Sequence, residues 1–223
     1  MFHVKQHLFI LFLFPVCLFG QQMGITTLEI RALPRMPIRD TVVERFLSES
    51  QGFNSLSSVQ RDWFYWTNYS RKNPKRFWDS VVVPLMDVFP PLRNSYSASL
   101  KKELFNTPSL PLLKPNAPLA KVADKHAKEL AAKNVNPSHT SPSGATFQDR
   151  MEGIGIQFCA GENISYGLWE PVLMLTLLYI DEGVPDLGHR KSLLTSTFVE
   201  MGIGVGAFPD KKVLIVQDFA CAQ

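Results

Sequence analysis

Leu119, Val122, Ala123, His126, Ala127 and Leu130 recur at intervals of three and four residues. That spacing puts them on one face of an α-helix and predicts a helix over about 118–133. Asn134 to Pro137 stop it and deliver His139 into a loop. His126 falls on the apolar stripe, as either a satisfied, partly buried imidazole or part of a cleft wall. Upstream, Val59, Trp63, Trp66 and Ser70 share one face of a helix over 57–71, with Ser57 and Gln60 forming a capping box. Pro74 suits the first turn of the next helix, and Pro84 ends or kinks it. Pro90-Pro91 marks a break, 97–105 reads as a short helix with Leu100 and Leu104 inward, and the prolines of 106–118 make that stretch an extended connection.

Downstream, 146–152 forms a helical turn, and 153–158 alternates like a strand edge. Pro171 opens a helix to about Asp181 that is apolar nearly all round, with Gly183 placed to end it. Gly188 to Leu194 is another short helix. Met201, Ile203, Val205 and Ala207 then alternate with Gly202, Gly204 and Gly206, and the bare face this leaves admits a helix or the backbone of a cleft. After a turn at 208–212, Val213 to Val216 reads as a central strand covered on both faces. Helices followed by a terminal antiparallel hairpin predict an α+β layered domain.

The chain has 223 residues, 45% of them apolar, enough for one packed domain with an extension. Residues 1–20 read as a signal peptide. Lys5 supplies its positive end, Leu8 to Phe19 is too short to span a bilayer, and Gly20 suits cleavage. Cys17 raises a lipoprotein anchor as an alternative, but Phe14-Pro15-Val16 lacks the small residues such a site needs. No second long apolar run follows, so the mature chain is expected to be secreted or periplasmic, without a transmembrane segment. Residues 21–56 read as an N-terminal extension, packed or loosely attached, with a short helix over 40–47. Net charge is +3, or +2 without the leader, which argues against a nucleic-acid partner. The basic run at 71–76 reads as a solvated turn. Cys159 and Cys221 form either one disulfide or two buried thiols.

Candidate chemistry concentrates in Ser138-His139, Gly161-Glu162-Asn163, Asp181-Glu182 and Gly188-His189-Arg190. Each lies beside Gly, Pro or a short polar residue, which places it at an element end or in a loop. Two imidazoles and two carboxylates in one cleft could bind a divalent ion, act as an acid–base pair, or form a polar floor. Ser138 and Ser141 lack a nucleophile elbow and read as turn residues.

These motifs, with Ala123-Asp124-Lys125-His126-Ala127, Ser138-His139-Thr140-Ser141-Pro142, Arg150 and Gly202-Ile203-Gly204-Val205, resemble in their order the CAP superfamily, the SCP-like extracellular domain of cysteine-rich secretory and pathogenesis-related proteins and of bacterial secreted homologues. The core of the resemblance covers 115–220. Asn68 and Arg71 match the Asn-x-x-Arg of that family's first helix and extend the domain to 57–223. The resemblance implies a three-layer α-β-α sandwich with a central antiparallel sheet and a large cleft. It also implies a metal-binding tetrad of His139, Glu162, Asp181 and His189, with Glu182 as runner-up for Asp181. The link from Asp181 to His189 is short and Asp replaces the family's usual Glu, which is expected to weaken metal binding or reshape the cleft. The implied cofactor is zinc or another divalent metal, with no organic cofactor. Small-molecule, lipid and cell-envelope ligands all fit. A non-enzymatic binding domain leads, a metal-assisted or acid–base hydrolase is the alternative, and a purely structural tetrad is the third reading.

Overall fold

In a computed structural model of the chain, residues 28–29 and 31–222 are described. The signal peptide expected over 1–20, with Cys17, lies outside them. Helix α1 (Thr41–Glu49) is capped by Asp40, whose carboxylate accepts the Val42 and Val43 amides. Its Val43 and Leu47 are buried in the main core, and Asp40 pairs with Lys72 at 2.7 Å. The extension is therefore packed onto the domain along this stretch.

Helix α2 (Ser58–Lys72) starts at the expected Ser57/Gln60 capping box. Every residue from Trp63 to Arg71 is buried, so α2 is enclosed on all sides rather than along one stripe. The next helix does not end at Pro84. It runs as α3 (Pro74–Phe77), a π-turn (Trp78–Val82) and α4 (Val83–Val88). Proline has no N–H and collides with the carbonyl four residues back, and a widened turn just before it relieves both problems. A 3-10 turn at Pro90–Leu92 leads to α5 (Ser95–Asn106), whose Leu100 and Leu104 point inward as predicted.

Strand β1 (Lys114–Pro115) precedes α6 (Ala117–Lys133), which ends at Asn134 in the left-handed conformation, φ 49°. After α7 (Phe147–Glu152) the expected strand edge at 153–158 is absent. Residues 153–155 make a turn with Gly155 at φ 85°, and only Ile156 of this stretch is buried. The strand begins later, as β2 (Ala160–Gly167), so Gly161-Glu162-Asn163 lies inside a strand rather than in a loop. Helix α8 (Pro171–Ile180) stops at Asp181, itself left-handed at φ 58°, two residues before the expected Gly183. Helix α9 (Gly188–Leu194) and the hairpin β3 (Glu200–Ala207) and β4 (Val213–Ala220) complete the chain.

The sheet has the order β1-β3-β4-β2, antiparallel except for the parallel β1–β3 pair. Gly202, Gly204 and Gly206 face α6. A Cβ at these positions would lie 2.2 Å from the Ala120 nitrogen, 2.1 Å from the Ala123 oxygen and 2.3 Å from the Ala127 oxygen. Glycine is required because helix backbone rests directly on strand backbone. Met201, Ile203, Ile215 and Phe219 point the other way, into the core that α2 and α8 cover. The result is an α-β-α sandwich, with α6 and α7 on one face of the sheet and α2 and α8 on the other. Cys159 and Cys221 form a disulfide, fastening the start of β2 to the residue after β4. Among the described residues no helix is long and apolar enough to cross a membrane.

Candidate functional site

His139 follows α6 in a loop that His126 fixes from beneath. His126 is fully buried, and burial pushes its imidazole below its ordinary value, so it is neutral. A neutral ring has one donor and one acceptor. Nε2–H donates to the Ser138 carbonyl at 2.8 Å, and Nδ1 accepts the Ser141 hydroxyl at 2.9 Å. Arg150 of α7 holds the same loop by donating to the His139 carbonyl (3.0 Å), Ser141 Oγ (3.2 Å) and the Ala145 carbonyl (3.2 Å). Its remaining arm reaches Glu162 Oε2 at 2.6 Å, while His139 Nδ1 meets Glu162 Oε1 at 2.7 Å. Burial alone would raise the Glu162 carboxyl. The hydrogen bond from His139 and the charge of Arg150 outweigh it and hold Glu162 below the usual range, so it is ionised at neutral pH.

The second histidine sits on a different support. The left-handed Asp181 turns its carboxylate back toward α9, where Oδ1 meets His189 Nδ1 at 2.7 Å and Oδ2 accepts the Arg190 amide at 3.2 Å. Asp181, not the half-buried Glu182, is the partner of His189. Arg190 is buried and donates to the Tyr179 (2.6 Å) and Ile180 (2.7 Å) carbonyls at the end of α8, and to Tyr96 and Ser99 of α5. It thus satisfies carbonyls that the end of α8 leaves open and fastens α9 in place. Turns at Asp181–Val184 and Val184–Leu187 close the short link, so the shorter Asp side chain still reaches the imidazole.

Successive strand residues point to opposite faces. Glu162 carries the His139 pair on the α6 face, whereas Asn163 donates to the His189 carbonyl at 3.2 Å on the other. The four predicted residues therefore form two separate imidazole–carboxylate dyads, His139 with Glu162 and His189 with Asp181, one on each side of edge strand β2. Among the described residues no three His, Cys, Asp or Glu side chains gather as a ligand set. Both Glu162 oxygens and both Asp181 oxygens accept hydrogen bonds within the fold. The carboxylates thus orient the imidazoles. With Nδ1–H given to a carboxylate, each ring keeps the electron pair of Nε2 for a proton or a metal ion.

Arg71 is not in a solvated turn. It is fully buried and donates to the carbonyls of Pro111, Leu193, Thr195 and Phe198. Asn68 exchanges hydrogen bonds with the Leu113 backbone. Both are scaffold, tying α2 to the segments before β1 and after α9. A cavity of about 430 Å³ opens between α1 and α2, lined by Arg39, Glu44, Phe53, Arg61 and Tyr65 among others, apart from either histidine. The spacing on α6 reads His126 as a satisfied buried imidazole, and it is one, but the roles of Arg150 and Asp218 are not apparent from residue spacing. Asp218 leaves one visible signal, the one acid in a strand whose other residues are apolar except Gln217.

The domain is thus a glycine-floored α-β-α sandwich with a carboxylate-paired histidine on each side of its edge strand. The chain belongs to the CAP family, described as the cysteine-rich secretory protein family, whose model matches residues 107–219. An uncharacterized membrane protein of Bacillus subtilis, YlbC, is 35% identical over 95 residues, 40% of this chain and 24% of that one. An extracellular protein containing an SCP domain from Bacillus anthracis is 35% identical over 51% of this chain and 35% of that one, with a TM-score of 0.40. Schistosoma mansoni venom allergen-like protein 4 is 20% identical over 75% of this chain and 91% of that one, with a TM-score of 0.45. The chain thus spans about a quarter to a third of the two bacterial relatives.

Proposed function

We propose that this is an extracytoplasmic CAP-domain binding protein that takes a divalent metal ion through Nε2 of His139 and Nε2 of His189, with solvent or a bound ligand completing the coordination. The observation that carries this reading is the pair of imidazole–carboxylate contacts at 2.7 Å, each leaving Nε2 as the available donor. Neutral imidazole nitrogen suits zinc, and a carboxylate behind it raises its basicity. Glu162 and Asp181 orient the rings and are not ligands in this reading. An extracytoplasmic location agrees with the disulfide, since such bonds persist in oxidising compartments. The bound metal would supply Lewis acidity toward an oxygen-bearing ligand.

A hydrolytic reading has to use water. Ser141 Oγ is committed to His126 and Arg150, and Ser138 Oγ accepts the Thr140 amide. The test is calorimetric titration of the chain with Zn²⁺. Binding is expected in the wild type, lost in His139→Ala/His189→Ala, and weakened roughly 10–100-fold in Asp181→Asn. Equal binding by wild type and the double-alanine variant, or none in the wild type, overturns the proposal.

A further inference from the structure

Asp218 is wholly buried, and among the described residues no donor reaches either of its carboxyl oxygens. It is paired with Glu162 across β2–β4, so both carboxyls point to the α6 face. On its other side the partner is Gly202, which brings no side chain. The charged and titratable groups around this point are Glu162 from β2, Arg150 from α7 and, beyond Glu162, His139 from the loop and His126 from α6. Arg150 is the permanent cation among these groups, and Glu162 holds it at 2.6 Å. A second carboxylate here would be a buried charge with neither cation nor N–H, an arrangement native structures avoid. Two acceptors side by side become a donor and an acceptor when one holds a proton.

We propose that Asp218 is kept as the neutral carboxylic acid, that its O–H donates to the Glu162 carboxylate, and that this third donor fixes Glu162 as the acceptor of His139 Nδ1–H. Burial, then the adjacent negative charge of Glu162, act in the same sense and push the Asp218 carboxyl well above the usual carboxylate range. Asp218 is thus a positioning residue for His139, acting through Glu162. The His139 part deepens the metal-binding reading and rests on it. The protonation of Asp218 does not.

The test compares urea unfolding of wild type and Asp218→Asn in EDTA between pH 4 and 8. An unfolded aspartate ionises near ~3.9, whereas the folded state keeps its proton, so the fold binds one more proton than the unfolded chain above that pH. This stabilisation is full below ~pH 3.9 and is lost as pH rises toward the folded-state value. Asparagine does not titrate. The unfolding constant of wild type relative to the variant should therefore rise about tenfold per pH unit, several hundred-fold between pH 4 and 7. A ratio that stays flat from pH 5 to 7 overturns the proposal. If the variant does not fold, the ¹³C carboxyl resonance of Asp218 in wild type at pH 7 decides, and an ionised signal overturns it. Nitrogen-15 spectra test the positioning role. Asp218→Asn retains an N–H donor and should keep His139 as the Nδ1–H tautomer, while Asp218→Ala should show both tautomers. An unchanged tautomer in Asp218→Ala overturns that role. Failure of zinc to bind wild type would remove the metal reading and leave these measurements standing.

Discussion

Replacing Arg150 with methionine keeps the volume and removes the charge that faces Glu162. The Glu162 side chain is only 1% exposed and that of Arg150 8% exposed, so water cannot take over. Removing one partner of a buried ion pair costs about 3–5 kcal/mol, because the other charge is left uncompensated. The three further acceptors that Arg150 serves, on His139, Ser141 and Ala145, place the effect toward the upper end. Against a total stability of about 5–15 kcal/mol for a domain, this is a large fraction. It corresponds to a fall in Tm of roughly 6–20 °C for a chain of this size. The assay is urea unfolding at pH 7 and repeated toward pH 3, with Arg93→Met as control, since the Arg93–Asp87 pair is exposed and should not register. The pH dependence follows from Glu162. Its folded-state value is depressed, so its contribution is present above the unfolded value near ~4.3 and is lost as pH falls through the folded one. The gap between wild type and Arg150→Met should therefore be widest near neutrality and close in acid. A loss below about 1 kcal/mol at pH 7, or a gap that does not change with pH, would refute the assignment of Arg150 as the counter-charge.

Gly204→Ala should cost about 3 kcal/mol or more, since its Cβ would meet the Ala123 carbonyl oxygen at 2.1 Å and neither backbone can yield, and thermal denaturation will show it. Cys159→Ser/Cys221→Ser should lose about 4 kcal/mol, the loop-closure value for a separation of 62 residues, measurable as a lowered urea midpoint that matches the reduced wild type. Arg190→Met should cost about 3–5 kcal/mol and broaden the His189 resonances, because its buried guanidinium holds the end of α8 against α9.

The helices of this fold were legible where burial is one-sided or complete. The stripe on α6 is strictly periodic, and its members are buried apart from the half-buried Val122. Helix α8 is apolar all round and is buried at eight of its ten positions. Strand β2 was not legible. Ala160 to Gly167 alternates neither in size nor in polarity, and its conformation comes from pairing with β4, a long-range cause that no local window contains. Residues 153–158 carry the alternation and form no strand, because only Ile156 finds a place in the core. The dyads were half legible. The motifs pointed to the four residues, but the order of contacts does not follow from spacing. The left-handed Asp181 decides which carboxylate meets His189, and Arg150 takes one oxygen of Glu162 while His139 takes the other. Arg71 misled because a basic run ordinarily faces water, and here its first member fills a carbonyl-lined socket inside the core.

The glycine stripe of β3 also sets the mechanics of the molecule. Where a helix normally rides on a cushion of side chains, the backbone of α6 lies directly on the strand along Gly202, Gly204 and Gly206, with the Cβ atoms of Leu119 and Ala131 beside it. A contact with no compressible filling bends little and leaves no room to open, so helix and hairpin should behave as one stiff plate. The loop bearing His139 is tied to that plate through His126 and Arg150, so its imidazole is backed by the most rigid part of the fold.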